Sequence, residues 1–450
     1  MTRGARIRWQ DTAAKLGSEG GRFELLYSVL RRSWPVLSRT AALYRRTLIC
    51  RTRIAAIVGS FGKTTTTRAV MTALGGDVSR LFEFNVGSSL AVALFRIKPW
   101  NRYWAVEVAT SGPGIILPLA RMIRPDIAVA TCIGSEHNRS FKTLEATRQE
   151  KSEMVRLLPD TGLAVLNGDD PNVLWMKGRT GAKVITFGCG DSNDVRAENV
   201  FMDWPRGMGF TLRAGTLTRQ MHTHMIGRHM AYPILAAVAA AQGEGLPLEP
   251  ILPLLEALEP TPGRMQPVRL ANGAYVLRDD YKSALETIET ALDSLSEIPA
   301  PQKIAVLGEI SEPPGSQGPR YKALGEKAAM TATRVVLITK KRGLEGYRSG
   351  LNQAGFPGDA VYNAKSDVLD AAEAVRRDLG PGDVVLIKGR DNQRLERVAF
   401  ALMGVDVRCD RPSCTLRTTR CATCESLQQG RKRLSHESSL GASRADGEST

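Results

Sequence analysis

The apolar positions of this chain fall into short blocks whose spacing changes along its length. Residues 22 to 49 set Leu, Val, Tyr and Trp among arginines at helix-like intervals, interrupted at Pro35, which predicts one or two amphipathic helices. From Ile54 the pattern alternates between elements. An apolar strand over Ile54 to Val58 meets a glycine turn and then a helix over Thr64 to Leu74, halted by Gly75 and Gly76. Further strands are predicted at Tyr103 to Ala109, Asp126 to Cys132, Leu163 to Leu166 and Lys183 to Phe187. Such alternation predicts a parallel sheet covered by helices. Residues 195 to 226 lose the helices and read as a small antiparallel side sheet, before a long apolar helix over His229 to Ala241.

A second series begins after Pro260, Pro262 and Gly263, with strands at Ala274 to Leu277, Lys303 to Leu307, Arg334 to Ile338 and Asp383 to Ile387. The fold class is therefore α/β, in four parts: a basic amphipathic segment over 1–53, a first sheet domain over 54–260, a Rossmann-like second domain over 261–405, and a tail over 406–450. The last fifteen or so residues are too hydrophilic to offset the entropy of ordering themselves.

Length and charge sharpen this picture only locally. The 450 residues are enough for two or three domains with their own cores. The net charge of +15 is concentrated at the start, where residues 1–53 hold twelve Lys and Arg against Asp11, Glu19 and Glu24. A local basic arm that packs on the next domain is the favoured reading, with peripheral membrane contact as the alternative. No apolar run is long enough to span a bilayer, and no signal-peptide core is visible. The cysteines do not form a secreted disulfide framework, so a reducing cytoplasm is expected.

The glycine turn carries the first chemistry. Gly59, Ser60, Phe61, Gly62, Lys63, Thr64 and Thr65 join a strand to a helix, which is the geometry that holds phosphate. Glycines admit the anion to the backbone, Lys63 supplies a point charge, and the Thr64 hydroxyl can ligate Mg²⁺. The general phosphate-loop pattern wants a glycine at the position of Ile57, so this is a shortened variant that marks the first sheet domain as a P-loop domain for nucleotide phosphate. Glu107 ends another strand on the same rim, His137 follows a third, and Lys151 lies fourteen residues beyond it.

These residues carry a resemblance. The loop is similar to the G-T-N-G-K-T-T of the Mur ligases and folylpolyglutamate synthetases, with Ser60 and Phe61 in place of Thr and Asn. Glu107 to Gly114 resembles the Mur ligase E-x-x-x-S-x-P-G segment, and Ile133 to His137 resembles I-G-x-x-H. Asn167 to Asp170 matches N-x-D-D, Pro262 to Arg264 matches P-G-R, and Asp279, Asp280 and Tyr281 resemble D-x-Y. Val384 to Arg390 resembles the terminal V-L-V-K-G-S, which singles out Lys388.

The resemblance covers residues 54 to 403 and is nearest to the branch that adds D-alanyl-D-alanine. It implies an ATP- and Mg²⁺-dependent ligase that joins a carboxylate to an amine through an acyl phosphate, acting on small-molecule or peptide substrates. It implies catalytic roles for Lys63, His137, Lys151 and Arg264. It also implies nucleotide contacts from residues 59–65, Asn167, Arg264, Asp279 or Asp280, and Lys388. Metal ligands would be Thr64, Glu107, His137 and a carbamylated Lys151.

The chain also departs from that pattern. Met230 and Pro233 stand where G-x-H-N-x-x-N has its asparagines, and the loop after Lys303 to Leu307 lacks a histidine usual in that branch. The 53 residues before Ile54 hold no glycine-rich strand–turn–helix, so a uridine-nucleotide site is not expected there. The alternative is a non-catalytic Mur-like nucleotide-binding scaffold or regulator, which would have no need of Glu107, His137 and Lys151 together. Cys409, Cys414, Cys421 and Cys424 are within reach of a four-thiolate zinc knuckle, although their spacing fits no common finger and free thiols are favoured. Nothing aromatic is interleaved with the basic arm to stack bases, so nucleic acid is not an expected partner.

Overall fold

The structure, a computed structural model, describes residues 32–80, 87–313, 315–414, 416 and 420–429, together with 22 and 28–30. Most of the basic arm and the last residues of the tail therefore lie outside the described residues.

Two sheets organise the chain. The first has eight strands in the order β2-β1-β3-β4-β5-β6-β7-β8. Its parallel part comprises β1 (Arg53–Val58), β2 (Tyr103–Glu107), β3 (Ile127–Ala130), β4 (Leu163–Asn167) and β5 (Lys183–Gly188). These strands are near-continuous apolar runs because helices cover both of their faces. The antiparallel strands β6 (Val195–Asp203), β7 (Gly207–Ala214) and β8 (Leu217–Thr223) join its edge through a short parallel ladder between β5 and β6. The expected side sheet is thus a wing of the main one.

The second sheet has the order β13-β12-β11-β14-β10-β9. Four of its strands match the predicted series: β10 (Tyr275–Asp279), β11 (Lys303–Leu307), β12 (Arg334–Leu337) and β14 (Val384–Lys388). Two short edge strands, β9 (Gln266–Arg269) and β13 (Val361–Asn363), complete it. The parallel register sets Asp279 beside Lys388 at the carboxyl end of the sheet.

Of the basic arm, the described helix α1 (Trp34–Thr47) starts one residue before Pro35, after a turn at Ser33 that separates it from the helical residues 28–30 and 32, because proline is well suited to the first helical turn. It packs on α3 (Ser88–Arg96) and α4 (Ile116–Ile123), while α2 (Lys63–Ala73) follows β1. Buried Arg45 fixes α1 by donating to the carbonyls of Ile123 and Ile49 and to the Asp126 carboxylate at 2.8 Å. Among the described residues no helix is long and apolar enough to cross a membrane.

Candidate active site

In the first sheet the chain reverses direction around β1, which has β2 on one side and β3 on the other. The loops at the carboxyl ends of β1, β2, β3 and β4 consequently gather along one rim, the usual ligand position in an open α/β sheet. The phosphate loop sits at its centre. Gly59 has φ +148° and a Cβ there would lie 1.9 Å from Thr131 Oγ1, so no other residue fits. Gly62 is left-handed at φ +77° and caps α2.

The loop is tied to β3 at several points. Ser60 N–H donates to the Cys132 carbonyl at 2.7 Å, Thr131 Oγ1 to the Phe61 carbonyl at 2.6 Å, and Gly134 N–H to Ser60 Oγ at 2.9 Å. Asn167 Nδ2 donates to the Thr131 carbonyl at 2.7 Å while its Oδ1 accepts from Asp169 N–H. Both ends of the Asn167 amide thus brace the rim. Asp170 likewise accepts from Ile133 N–H at 2.7 Å and caps the Pro171–Leu174 turn.

Lys63 curls over the loop, donating to the carbonyls of Gly59 and Ser60 and to Glu136 Oε2 at 3.2 Å. Burial lowers its pKa. Thr64 Oγ1 donates to Glu107 Oε2 at 2.8 Å, so the hydroxyl and the carboxylate expected to share a metal are already neighbours. Lys151, on α5 (Leu144–Arg156), is 2% exposed and donates to the Gly59 carbonyl at 2.8 Å. Burial, and then the charge of Lys63, pull its pKa down to about 7.

His137 occupies a left-handed position at φ +58°, with Nε2 3.8 Å from Glu136 and Nδ1 3.9 Å from Glu312. Burial lowers its pKa, which favours the neutral imidazole a metal requires. Among the described residues no three His, Cys, Asp or Glu side chains converge as a protein-only metal site would need. Magnesium needs less from the protein: one or two oxygens beside nucleotide phosphates and water suffice, and Thr64 with Glu107 offers that pair.

The second sheet closes over this rim. Ser135 donates from N–H and Oγ to Glu286, both at 2.8 Å, and Arg68 donates to Thr261 Oγ1 at 2.7 Å. Lys282 reaches across to Glu136, so a single carboxylate holds Lys63 from one sheet and Lys282 from the other. Burial and Lys63 lower the Lys282 pKa to about 8. Arg264 lies with its guanidinium 4.4 Å from the Tyr281 ring centre; burial lowers the pKa values of Lys63 and Lys388, and the charge of Arg264 adds to both.

The two adjacent aspartates are both engaged in ion pairs. Asp279 holds fully buried Lys388, and Asp280 holds Arg278 at 2.9 Å. The two replaced asparagine positions, Met230 and Pro233, are buried. Close by, Tyr232 donates to Asp169 at 2.9 Å. Glu136, Lys282 and Glu286 were not singled out in the sequence. The signal available was adjacency, since Glu136 precedes His137 and Lys282 follows the Asp-Asp-Tyr run.

The tail folds back on the second domain, and its four cysteines line one small cavity of about 20 Å³ together with Arg394, Arg397 and Arg411. All four are free thiols, and no metal-holding group of three forms among the described residues, so zinc gains no support.

Residues 57–241 match the family model "Mur ligase middle domain", and residues 263–390 match "Mur ligase, glutamate ligase domain". A UDP-N-acetylmuramoyl-tripeptide--D-alanyl-D-alanine ligase of Mycobacterium tuberculosis is 30% identical over 373 residues, covering 78% of this chain and 73% of that protein. The chain belongs to the Mur ligase family. The enzyme of the same name from Escherichia coli is 26% identical over 356 residues, covering 78% of this chain and 76% of its own. Among solved structures, the MurF ligase of Thermotoga maritima in complex with ADP aligns with a TM-score of 0.72 at 20% identity. It covers 83% of this chain and 84% of its own, and shares the fold. As a Mur ligase the chain is an ATP-dependent, ADP-forming ligase that makes amide bonds.

Proposed function

We propose that this Mur ligase activates a small carboxylate or peptide carboxylate as an acyl phosphate in this cleft and passes it to an amine, in peptidoglycan-precursor assembly or a related peptide-forming pathway of the cytoplasm. The relatives named for D-alanyl-D-alanine addition support that pathway, while the identity of acid and amine is left open by the departures at Met230, Pro233 and the loop after β11. The observation that carries the reading is Lys151: a buried amine with a pKa near 7, held against the phosphate loop.

In this reading the loop amides of residues 59–65 and Lys63 hold the β- and γ-phosphates, and Arg264 reaches them from the second domain. Thr64 and Glu107 would hold magnesium, which neutralises charge on the transferring phosphoryl group. Neutral Lys151 can take up CO₂, and the resulting carbamate, with His137, would hold a second magnesium. Asn167 keeps the rim in shape, while Asp279, Asp280 and Lys388 form the floor on which the ribose and phosphates rest. Attack of the substrate carboxylate on the γ-phosphate, then of the amine on the acyl phosphate, yields an amide, ADP and phosphate. Exposed Val36, Leu43 and Leu48 beside Arg39 and Arg46 support peripheral contact with an anionic membrane as part of this reading.

Three substitutions separate the roles. Lys63→Ala should abolish ATP binding and turnover together, whereas His137→Ala and Lys151→Ala should keep ATP binding and lose turnover. Equal loss of binding in all three would overturn the assignment.

A further inference from the structure

Two arginines share one tyrosine ring in the cleft. The guanidinium carbon of Arg264 lies 4.4 Å from the Tyr281 ring centre and that of Arg420 lies 4.1 Å from it. Arg264 belongs to the turn that enters the second domain. Arg420 belongs to the cysteine-bearing tail, outside the 263–390 span that matches the family model.

The tail is held by built contacts. Arg397, 1% exposed, donates to the carbonyls of Cys409 at 2.8 Å and Arg411 at 2.6 Å. Cys414 N–H donates to the Asn392 carbonyl at 2.7 Å, and Arg394 donates to the Leu416 carbonyl. Next to Arg420, Cys421 N–H donates to Glu396 Oε1 at 2.9 Å. Glu396 lies 3.6 Å from Arg278, which pairs with Asp280 at 2.9 Å. Two routes therefore run from neighbouring tail residues to the neighbouring cleft residues Asp280 and Tyr281.

We propose that the tail is a working part of the nucleotide cleft, with Arg420 a positioning residue that acts through Tyr281 to hold Arg264 against the nucleotide phosphates. Guanidinium groups are drawn to the negative face of an aromatic ring, which keeps two like charges close together until an anion arrives to share them. Lys63 feels both Arg264 and Tyr281, so the assembly already borders the phosphate loop. The inference rests on the nucleotide reading of the cleft and adds a segment that the family match leaves out.

The test is titration calorimetry of Mg-ATP into the full-length protein, wild type and variants, with KM for ATP and kcat measured alongside in the ligase assay. Arg420→Ala should weaken ATP binding by roughly five-fold, the scale of one partly exposed cation–ring contact. KM should rise in step, with kcat and the thermal midpoint held. Arg420→Lys should recover only part of the loss, because an ammonium lacks the planar fork. In a Tyr281→Leu background Arg420→Ala should add nothing. Affinity equal to wild type in Arg420→Ala, or full recovery by lysine, would overturn the inference. So would a loss that persists undiminished without Tyr281. The lysine comparison stands even where Tyr281→Leu does not fold. Wild-type protein that binds no ATP would instead bring down the nucleotide reading itself, and this inference with it.

Discussion

Two lysines buried at one loop cannot both keep their usual charge. Lys63 and Lys151 both donate to the Gly59 carbonyl, and burial lowers the pKa of both, with the charge of Lys63 adding to the fall of Lys151 to about 7. Near neutrality a large share of Lys151 is therefore free amine, the form that captures CO₂. As pH falls through 7 the ammonium takes over. Turnover should accordingly be stimulated by bicarbonate at pH 8 and lose that stimulation well below pH 7, and Lys151→Ala should show none at any pH. Phosphate release in CO₂-depleted buffer, with bicarbonate added back, measures this; stimulation independent of pH would count against it. At the neighbouring pair, Glu107→Gln removes the charge from the proposed magnesium-ligand position while keeping the shape. It should raise the magnesium needed for half-maximal turnover by roughly ten-fold or more.

At the scale of elements, the loop over residues 59–65 leaves β1 and is tied to the residues that follow β3. Gly59→Ala would drive a methyl group into Thr131 Oγ1, whose hydroxyl also secures the Phe61 carbonyl. The substitution should abolish ATP binding and cost roughly 2–4 kcal/mol of stability, readable in a denaturant melt. An alanine variant with wild-type affinity would mean that the loop relaxes freely. The parallel strands were legible in the sequence because burial on both faces makes them unbroken apolar runs. The edge strands Gln266–Arg269 and Val361–Asn363 were not, being short and only half-buried. β3 proved shorter than expected, ending at Ala130, because Thr131 to Gly134 turn aside to tie down the phosphate loop. The same division holds at the site. Residues that local spacing singles out, such as Lys63, Thr64 and Glu107, do meet at the loop. Glu136, Lys282, Glu286 and Arg420 could not be singled out in this way, since their contacts lie across the cleft and far apart in the chain.

Over the whole molecule, the two sheets are joined by polar contacts at the cleft, and a half-buried histidine lies outside them. His229 is half-buried, and desolvation lowers its pKa to about 4. Its ordinary value near 6.5 applies in the unfolded chain, which therefore binds more protons between those limits. Stability from this residue is complete above pH 6.5 and is lost as pH falls toward 4, on the order of 3 kcal/mol. Chemical denaturation from pH 7 to 4 should show that slope, and His229→Gln should flatten it; an unchanged slope would place the acid sensitivity elsewhere.

The central claim, a bicarbonate-supported ligase in the closed cleft, is most directly tested by phosphate release from Mg-ATP against a panel of amino acids, dipeptides and muramyl peptides, with and without bicarbonate. The account predicts release that requires one acid and one amine together and is stimulated by bicarbonate. ATP bound tightly yet left intact across the whole panel would contradict it.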